Sequence, residues 1–315
     1  MQKKTLTWLF ALAIIFGFHS CSSSDDSPVD INIPADDDEE CCNDGEEYLT
    51  RVFLAKQNEV EQVSGIVSGD YIIKVYASDS EFKVGYNDVY FTVEKAKNGK
   101  HVKDFTVSNI TPLMEMGNMN GMKHSTPVAS SIVKEDGVPV LHAWISFLMP
   151  SDSEKNHQWT LSFDYTIKGT SGHFDAAVID VKPLATGHSY VKSFKYNDAT
   201  YYLSLVNPAR FATGVNTIQA YISKQSAEKE TPYLEAGEAF TVDIYPTMPD
   251  MGNHTSPNNE SLTRQSDGSY QGKLNLTMTG TWDIHLAVKA ENGQIVAGTE
   301  SKSGSLSELF WTISI

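Results

Sequence analysis

The stretch Met114-Glu115-Met116-Gly117-Asn118-Met119-Asn120-Gly121-Met122-Lys123-His124 places four thioethers and an imidazole within one short segment. A compressed version returns downstream as Thr247-Met248-Pro249-Asp250-Met251-Gly252-Asn253-His254, and each copy has a proline three residues past its histidine, at Pro127 and Pro257. The chain has nine methionines, and apart from Met1 all fall in these segments or shortly after them, at Met149 and Met278. Methionine ordinarily serves as an adaptable filler spread through cores. Its concentration at two matching places indicates that the sulfur is wanted rather than the volume.

Thioether sulfur is a soft, uncharged ligand that suits monovalent copper, and outside the cytoplasm it is not lost to disulfide formation as a thiol is. The Met114-x-Met116 and Met248-x-x-Met251 spacings allow two sulfurs of one loop to converge, with Gly117, Gly121 and Gly252 supplying sharp turns. His124 and His254 each add an imidazole, which serves either copper oxidation state when neutral. The expected metal set is therefore Met114, Met116, Met119, Met122, His124, Met248, Met251 and His254, with copper, as Cu(I), the expected cofactor. Met149 and Met278 are possible additions whose strand alternation points them at a core instead. The competing reading of the whole set is apolar plugs closing one end of each domain.

The elements that position these loops read as β-strands. Short alternating runs are broken by Gly, Asn, Asp and Pro, and no segment sustains a helical apolar period for three turns. Phe82-x-x-Gly85-x-Asn87 recurs as Phe211-x-x-Gly214-x-Asn216, and Phe105-Thr106-Val107 recurs as Phe240-Thr241-Val242. Asp136-Gly137 and Asp267-Gly268 mark hairpins in both copies. A tryptophan strand closes each, Trp159, Leu161 and Phe163 matching Trp282, Ile284 and Leu286. The expectation is an all-β protein: two tandem immunoglobulin-like β-sandwich domains at 48–169 and 170–315, following a signal peptide and an acidic tether.

Lys3 and Lys4 precede an apolar run that ends at Cys21, the pattern of a secretory signal over 1–20, too short to span a bilayer. The run resembles a bacterial lipobox, which implies lipidation of Cys21, and Ser22-Ser23-Ser24-Asp25-Asp26 resembles a signal for outer-membrane export. Residues 21–47 then form the tether, where acidic residues accumulate without a single Lys or Arg. The formal charge is −16 and no basic stripe is present, which argues against a nucleic-acid partner. The neighbouring Cys41 and Cys42 are open to a vicinal disulfide, a bridge to another chain, or a soft metal.

The second copy resembles the YtkA-like or FixH-like domain family. The residues that carry the resemblance are Met248-Pro249-Asp250-Met251-Gly252-Asn253-His254, Asp267-Gly268-Ser269-Tyr270, Leu276-Thr277-Met278-Thr279-Gly280-Thr281-Trp282 and Leu286-Ala287-Val288. It implies an extracytoplasmic β-sandwich linked to copper handling or to assembly of copper-containing respiratory complexes. It further implies that Met248, Met251 and His254 form the metal-side loop and that Gly280-Thr281-Trp282 is structural. The resemblance reaches 103–167 only through the internal repeat.

Other histidines read as bland. His142 and His285 are expected at exposed mid-strand positions, and His101, His157, His173 and His188 near turns without ligand partners. No His-Glu-x-x-His, Gly-x-Ser-x-Gly, phosphate loop or Cys-x-x-Cys occurs, so an enzyme is not expected. The function expected is a lipid-anchored, outer-membrane copper-binding protein that sequesters the ion or exchanges it with an envelope protein. The alternative is a cell-surface adhesion module that docks a protein or glycan through its apolar loops.

Overall fold

A computed structural model describes residues 44–315, apart from 79–80, 185–188, 207–209 and 301–307. The expected signal sequence, Cys21, Cys41, Cys42, nearly all of the tether and His188 lie outside the described residues.

The first half is a two-sheet sandwich. One sheet is six-stranded, running Asn58–Glu59, Tyr71–Ala77, Gly85–Lys95, Leu141–Phe147 and Val133–Lys134 in hydrogen-bonded order, with Gly65–Val67 also on Tyr71–Ala77. The other is four-stranded, running Thr170–Ile179, His157–Ile167, Phe105–Met116 and Met122–His124. Period-2 alternation dictates this arrangement. Along His157–Ile167 the residues Trp159, Leu161, Phe163, Tyr165 and Ile167 are buried and those between them are not. Facing them from the opposite sheet are Ile73, Val75, Val89, Phe91, Ile145 and Phe147, one continuous core. Trp159 is fully enclosed in it, and truncating such a residue to alanine costs about 3–5 kcal/mol.

The second half repeats this plan with one difference: its strands form one continuous ten-stranded array, because Glu260–Arg264 pairs with Tyr270–Leu276 on one side and with Phe240–Met248 on the other. The repeated Phe-x-x-Gly-x-Asn motif now has a physical reason. Gly85 and Gly214 adopt φ of 97° and 99°, a left-handed conformation that suits glycine. Asn87 Nδ2 then donates to the carbonyls of Lys83 and Gly85 while its Oδ1 accepts from Lys83 N; Asn216 does the same with Ala212 and Gly214. Both Asp-Gly pairs lie in hairpin turns, between Lys134 and Leu141 and between Arg264 and Tyr270.

Two expected boundaries move. Thr170–Ile179 pairs antiparallel with His157–Ile167, and Ile179 and Val181 belong to the first core, so the first half extends past 169 to Lys182. Gly169 only turns the chain between two paired strands. Residues 44–47, assigned to the tether, begin the helix Asp44–Leu54. Its Glu47 carboxylate accepts from the backbone and Nδ1 of His101, Glu46 pairs with Lys103, and Leu54 packs with Tyr76, Val138 and Val140. These tertiary contacts hold a helix that is short by the standard of isolated helices.

The halves meet along the segment that follows the first methionine loop. Tyr233 N donates to Thr126 O, Val128 N to Tyr233 O, and Ser125 N to Lys229 O. Trp144 lies 4.4 Å from Tyr221, which stacks on Tyr86 at 6.0 Å and 3°, and the Ser146 and Ser204 hydroxyls are joined at 2.8 Å.

Candidate metal centre

Both methionine segments are hairpins. In the first, Phe105–Met116 turns through a short 3-10 helix, Gly117–Met119, and returns as Met122–His124; in the second, Phe240–Met248 turns through Pro249–Met251 and returns as His254–Thr255. Left-handed Asn120 and Gly121 close the first turn, and left-handed Gly252 and Asn253 the second.

Strand register decides which side chains share a face. Met114 is paired with His124, and Met116 with Met122. Residues 114 and 116 point the same way because side chains alternate along a strand, and directly opposed partners lie on one face. Three sulfurs and one imidazole therefore sit on one side of a single hairpin. That side is the core side. Met114 is fully buried and Met116 nearly so, His124 is half-buried, and Met122 is 44% exposed at the outer end.

In the second half Met248 is paired with His254, repeating the Met114–His124 pair. Met248 is buried, whereas His254 is exposed and Met251 is 58% exposed. Met119, at the first hairpin's tip, is 49% exposed. Met149 and Met278 are half-buried against the first and second cores, and their backbone carbonyls accept hydrogen bonds from the buried indoles, Trp159 Nε1 at 2.9 Å and Trp282 Nε1 at 3.1 Å. Both residues are thus tied to the core by side-chain packing and by a carbonyl hydrogen bond.

One ring nitrogen of His124 is fixed by the backbone. Its Nδ1 lies 2.8 Å from Ser125 O. A carbonyl only accepts, so Nδ1 carries the proton and Nε2 keeps the lone pair, the second-partner arrangement typical of metal-binding histidines. Burial pushes its pKa below the usual histidine value; the bond to Ser125 O works the other way, and the Lys229 and His157 charges add to the lowering. Burial thus disfavours the charged form of the ring. Its ring stands edge-on to Trp159, centroids 5.5 Å apart at 90°, and His254 sits 6.5 Å from Trp282.

The first hairpin is held partly by the second half. Ser125, directly after His124, accepts no freedom of its own: its amide donates to Lys229 O at 2.6 Å and its hydroxyl to Pro112 O at 2.6 Å. Met122 borders an open cleft of about 600 Å³ shared with Glu228, Lys229 and Glu230.

The other histidines correct the sequence reading. His285 is fully buried, not exposed, with Nε2 2.8 Å from Thr247 Oγ1, because its strand Thr281–Ala290 is covered on both faces. His142 is half-buried between Asp88, at 3.0 Å, and Glu135, at 3.3 Å. His157 lies opposite Met116, on the strand neighbouring the hairpin, a position that sequence spacing could not reveal. Among the described residues, no three His, Cys, Asp or Glu side chains group as a metal site.

Residues 195–287 match the family model described as YtkA-like. That stretch is a YtkA-like domain. The match contains Met248, Met251, His254 and Trp282, and the first half joins it only through the structural repeat. No curated protein matches the chain. Among solved structures, the conserved domain protein from Bacillus anthracis is similar over 86% of this chain and 98% of its own, with 12% identity and a TM-score of 0.29.

Proposed function

We propose that the protein binds copper as Cu(I) outside the cytoplasm, anchored by a lipid at Cys21, and sequesters the ion or exchanges it with an envelope partner without catalysing a reaction. The observation that carries this reading is the shared face of Met114, Met116, Met122 and His124, with Nδ1 of the imidazole bonded to Ser125 O so that Nε2 keeps its lone pair. Packing accounts for Met114 and Met248. It gives no reason for Met119, Met122 and Met251, apolar side chains left in water beside imidazole-bearing strands. A soft monovalent cation fits that donor set, whereas calcium and magnesium seek oxygen ligands. The YtkA-like domain supports an extracytoplasmic, copper-associated setting.

The test is a Cu(I) competition titration of the full chain against a Met116→Leu, Met122→Leu, Met251→Leu variant. Leucine keeps the apolar volume and removes the sulfur. Weaker binding by the variant supports the proposal, and equal affinity rejects it. Loss of protein or glycan docking in the variant, with copper affinity intact, would instead favour the adhesion reading.

A further inference from the structure

The two methionine hairpins differ in what stands beside them. In the first half, His157–Ile167 flanks the hairpin on the side away from Met122–His124, pairing Trp159 with Met114 and His157 with Met116. Alternation places His157 on the same face as Trp159. Two rows therefore cross the three strands: Trp159, Met114 and His124 toward the core, and His157, Met116 and Met122 toward the rim. The second half keeps only the inner row, as Trp282, Met248 and His254. Two residues outward from Trp282 stands Gly280, where the first half has His157, and the second hairpin closes sooner: Asp250 lies in the 3-10 turn and Gly252 is left-handed, so both already belong to the turn where the first half still pairs Met116 with Met122. The space is also taken: a Cβ on Gly280 would collide with Met248 Cε, so no larger side chain fits there without displacing that methionine.

We infer that His157 is a ligand of the soft-cation site and that the first half, through Met116, Met122 and His157 with His124 behind them, holds the tight site of the molecule. The inference rests on the copper-binding reading above and extends it to a residue outside the methionine segments. His157 Nε2 lies 2.8 Å from Asn118 Oδ1, within the turn of the same hairpin. That amide oxygen is an acceptor, so Nε2 carries the proton and Nδ1 retains the lone pair, the same outer-partner arrangement that Ser125 O gives His124. His157 also lines an open cleft of about 800 Å³ with Glu115, Gly117 and Asn156, so its ring is reached from outside the core.

The experiment uses the full chain, with Ag(I) as an air-stable probe and Cu(I) in parallel. Histidine side-chain nitrogen NMR is recorded during titration. At the first equivalent, Nδ1 of His157 and Nε2 of His124 are expected to shift, with His254 responding only beyond one equivalent. His157→Ala is expected to weaken the tight site by at least about 10-fold, and Asn118→Leu, which keeps the ligand and removes its orienting partner, by about 10-fold. His173→Ala, remote from the hairpin and bonded to Asp164, serves as control. If the first equivalent shifts His254 first, or leaves His157 silent while His124 responds, the inference fails and copper binding stands. If no nitrogen shifts and no ion is retained, both fail.

Discussion

Met114 and His124 stand directly opposite each other across a two-strand hairpin, and the pairing recurs between Met248 and His254 in the other half. In each case the methionine is sealed into the end of a core and the histidine lies nearer the surface. A sulfur and an imidazole side by side at a core margin can act as a packing contact or as half of a ligand set. What surrounds the pair decides which, and the first half surrounds it with two further sulfurs and a second imidazole.

The methionines should divide by burial when stability is measured. Met114→Ala is expected to cost about 2–5 kcal/mol and Met114→Leu under about 1.5 kcal/mol, from cavity formation and volume conservation respectively. Met122→Leu should leave stability within about 0.5 kcal/mol, since its side chain is largely outside the core. Urea midpoints of the three variants check this. A Met122 variant as unstable as Met114→Ala would assign that side chain a packing role.

Acid should destabilise the fold through His124. Its folded pKa lies below the reference value of 6.5 because burial disfavours the charged ring, so the unfolded chain binds the proton more readily. Stability is then full above about 6.5 and falls as pH drops from there toward the lowered folded pKa. His285 titrates in the same direction and is present in both proteins compared. Urea midpoints at a series of pH values should therefore show a smaller acid loss for His124→Gln than for the wild type. Parallel curves would mean that the imidazole is not held neutral by the fold.

Glu47 should make the N-terminal helix acid-sensitive. Burial alone would raise its carboxyl, but the hydrogen bonds from the His101 side chain and backbone outweigh that and hold it below the usual value. This anchoring is present above about 4.5, the reference value, and lost as pH falls through the folded pKa. Glu47→Gln is expected to lower amide-exchange protection over Asp44–Leu54 at neutral pH while leaving Phe105–Met116 protected. Unchanged protection of the helix would place its anchoring in Leu54 and Phe53 alone.

The halves should unfold together because Trp144, Tyr86 and Tyr221 stack across their junction. Trp144→Ala is expected to cost about 3–5 kcal/mol and to split one calorimetric transition into two. A single, merely lowered transition would show that the backbone bonds of Tyr233 couple the halves without the rings.

Much of this architecture was legible in the chain. The Phe-x-x-Gly-x-Asn repeat, the Asp-Gly turns and the tryptophan strands are local patterns whose spacing states their geometry, and they point to an all-β sandwich plan; the YtkA-like resemblance rests on the Met248–His254 segment with Asp267–Tyr270, Leu276–Trp282 and Leu286–Val288. The site was legible only in part. Met114 and Met116 show their shared face by alternation, but the return strand's register, which sets Met122 against Met116 and His124 against Met114, depends on how the Asn120–Gly121 turn closes. His157 lies in another strand altogether, and long-range pairing leaves no mark on local spacing. His285 and His142 looked exposed because alternation says which face a residue is on, not whether that face is covered. The helix at Asp44 was hidden because its acidic start resembles the tether, and contacts with His101 and Lys103 settle it.

The central claim is that sulfur and nitrogen of the first hairpin meet around one soft cation. Copper-edge X-ray absorption of the full chain, loaded with one equivalent of Cu(I), addresses it most directly. The predicted spectrum has a first shell of mixed sulfur and nitrogen neighbours, with the sulfur contribution falling in Met116→Leu, Met122→Leu. A first shell of oxygen and nitrogen only, unchanged in that variant, would contradict the account.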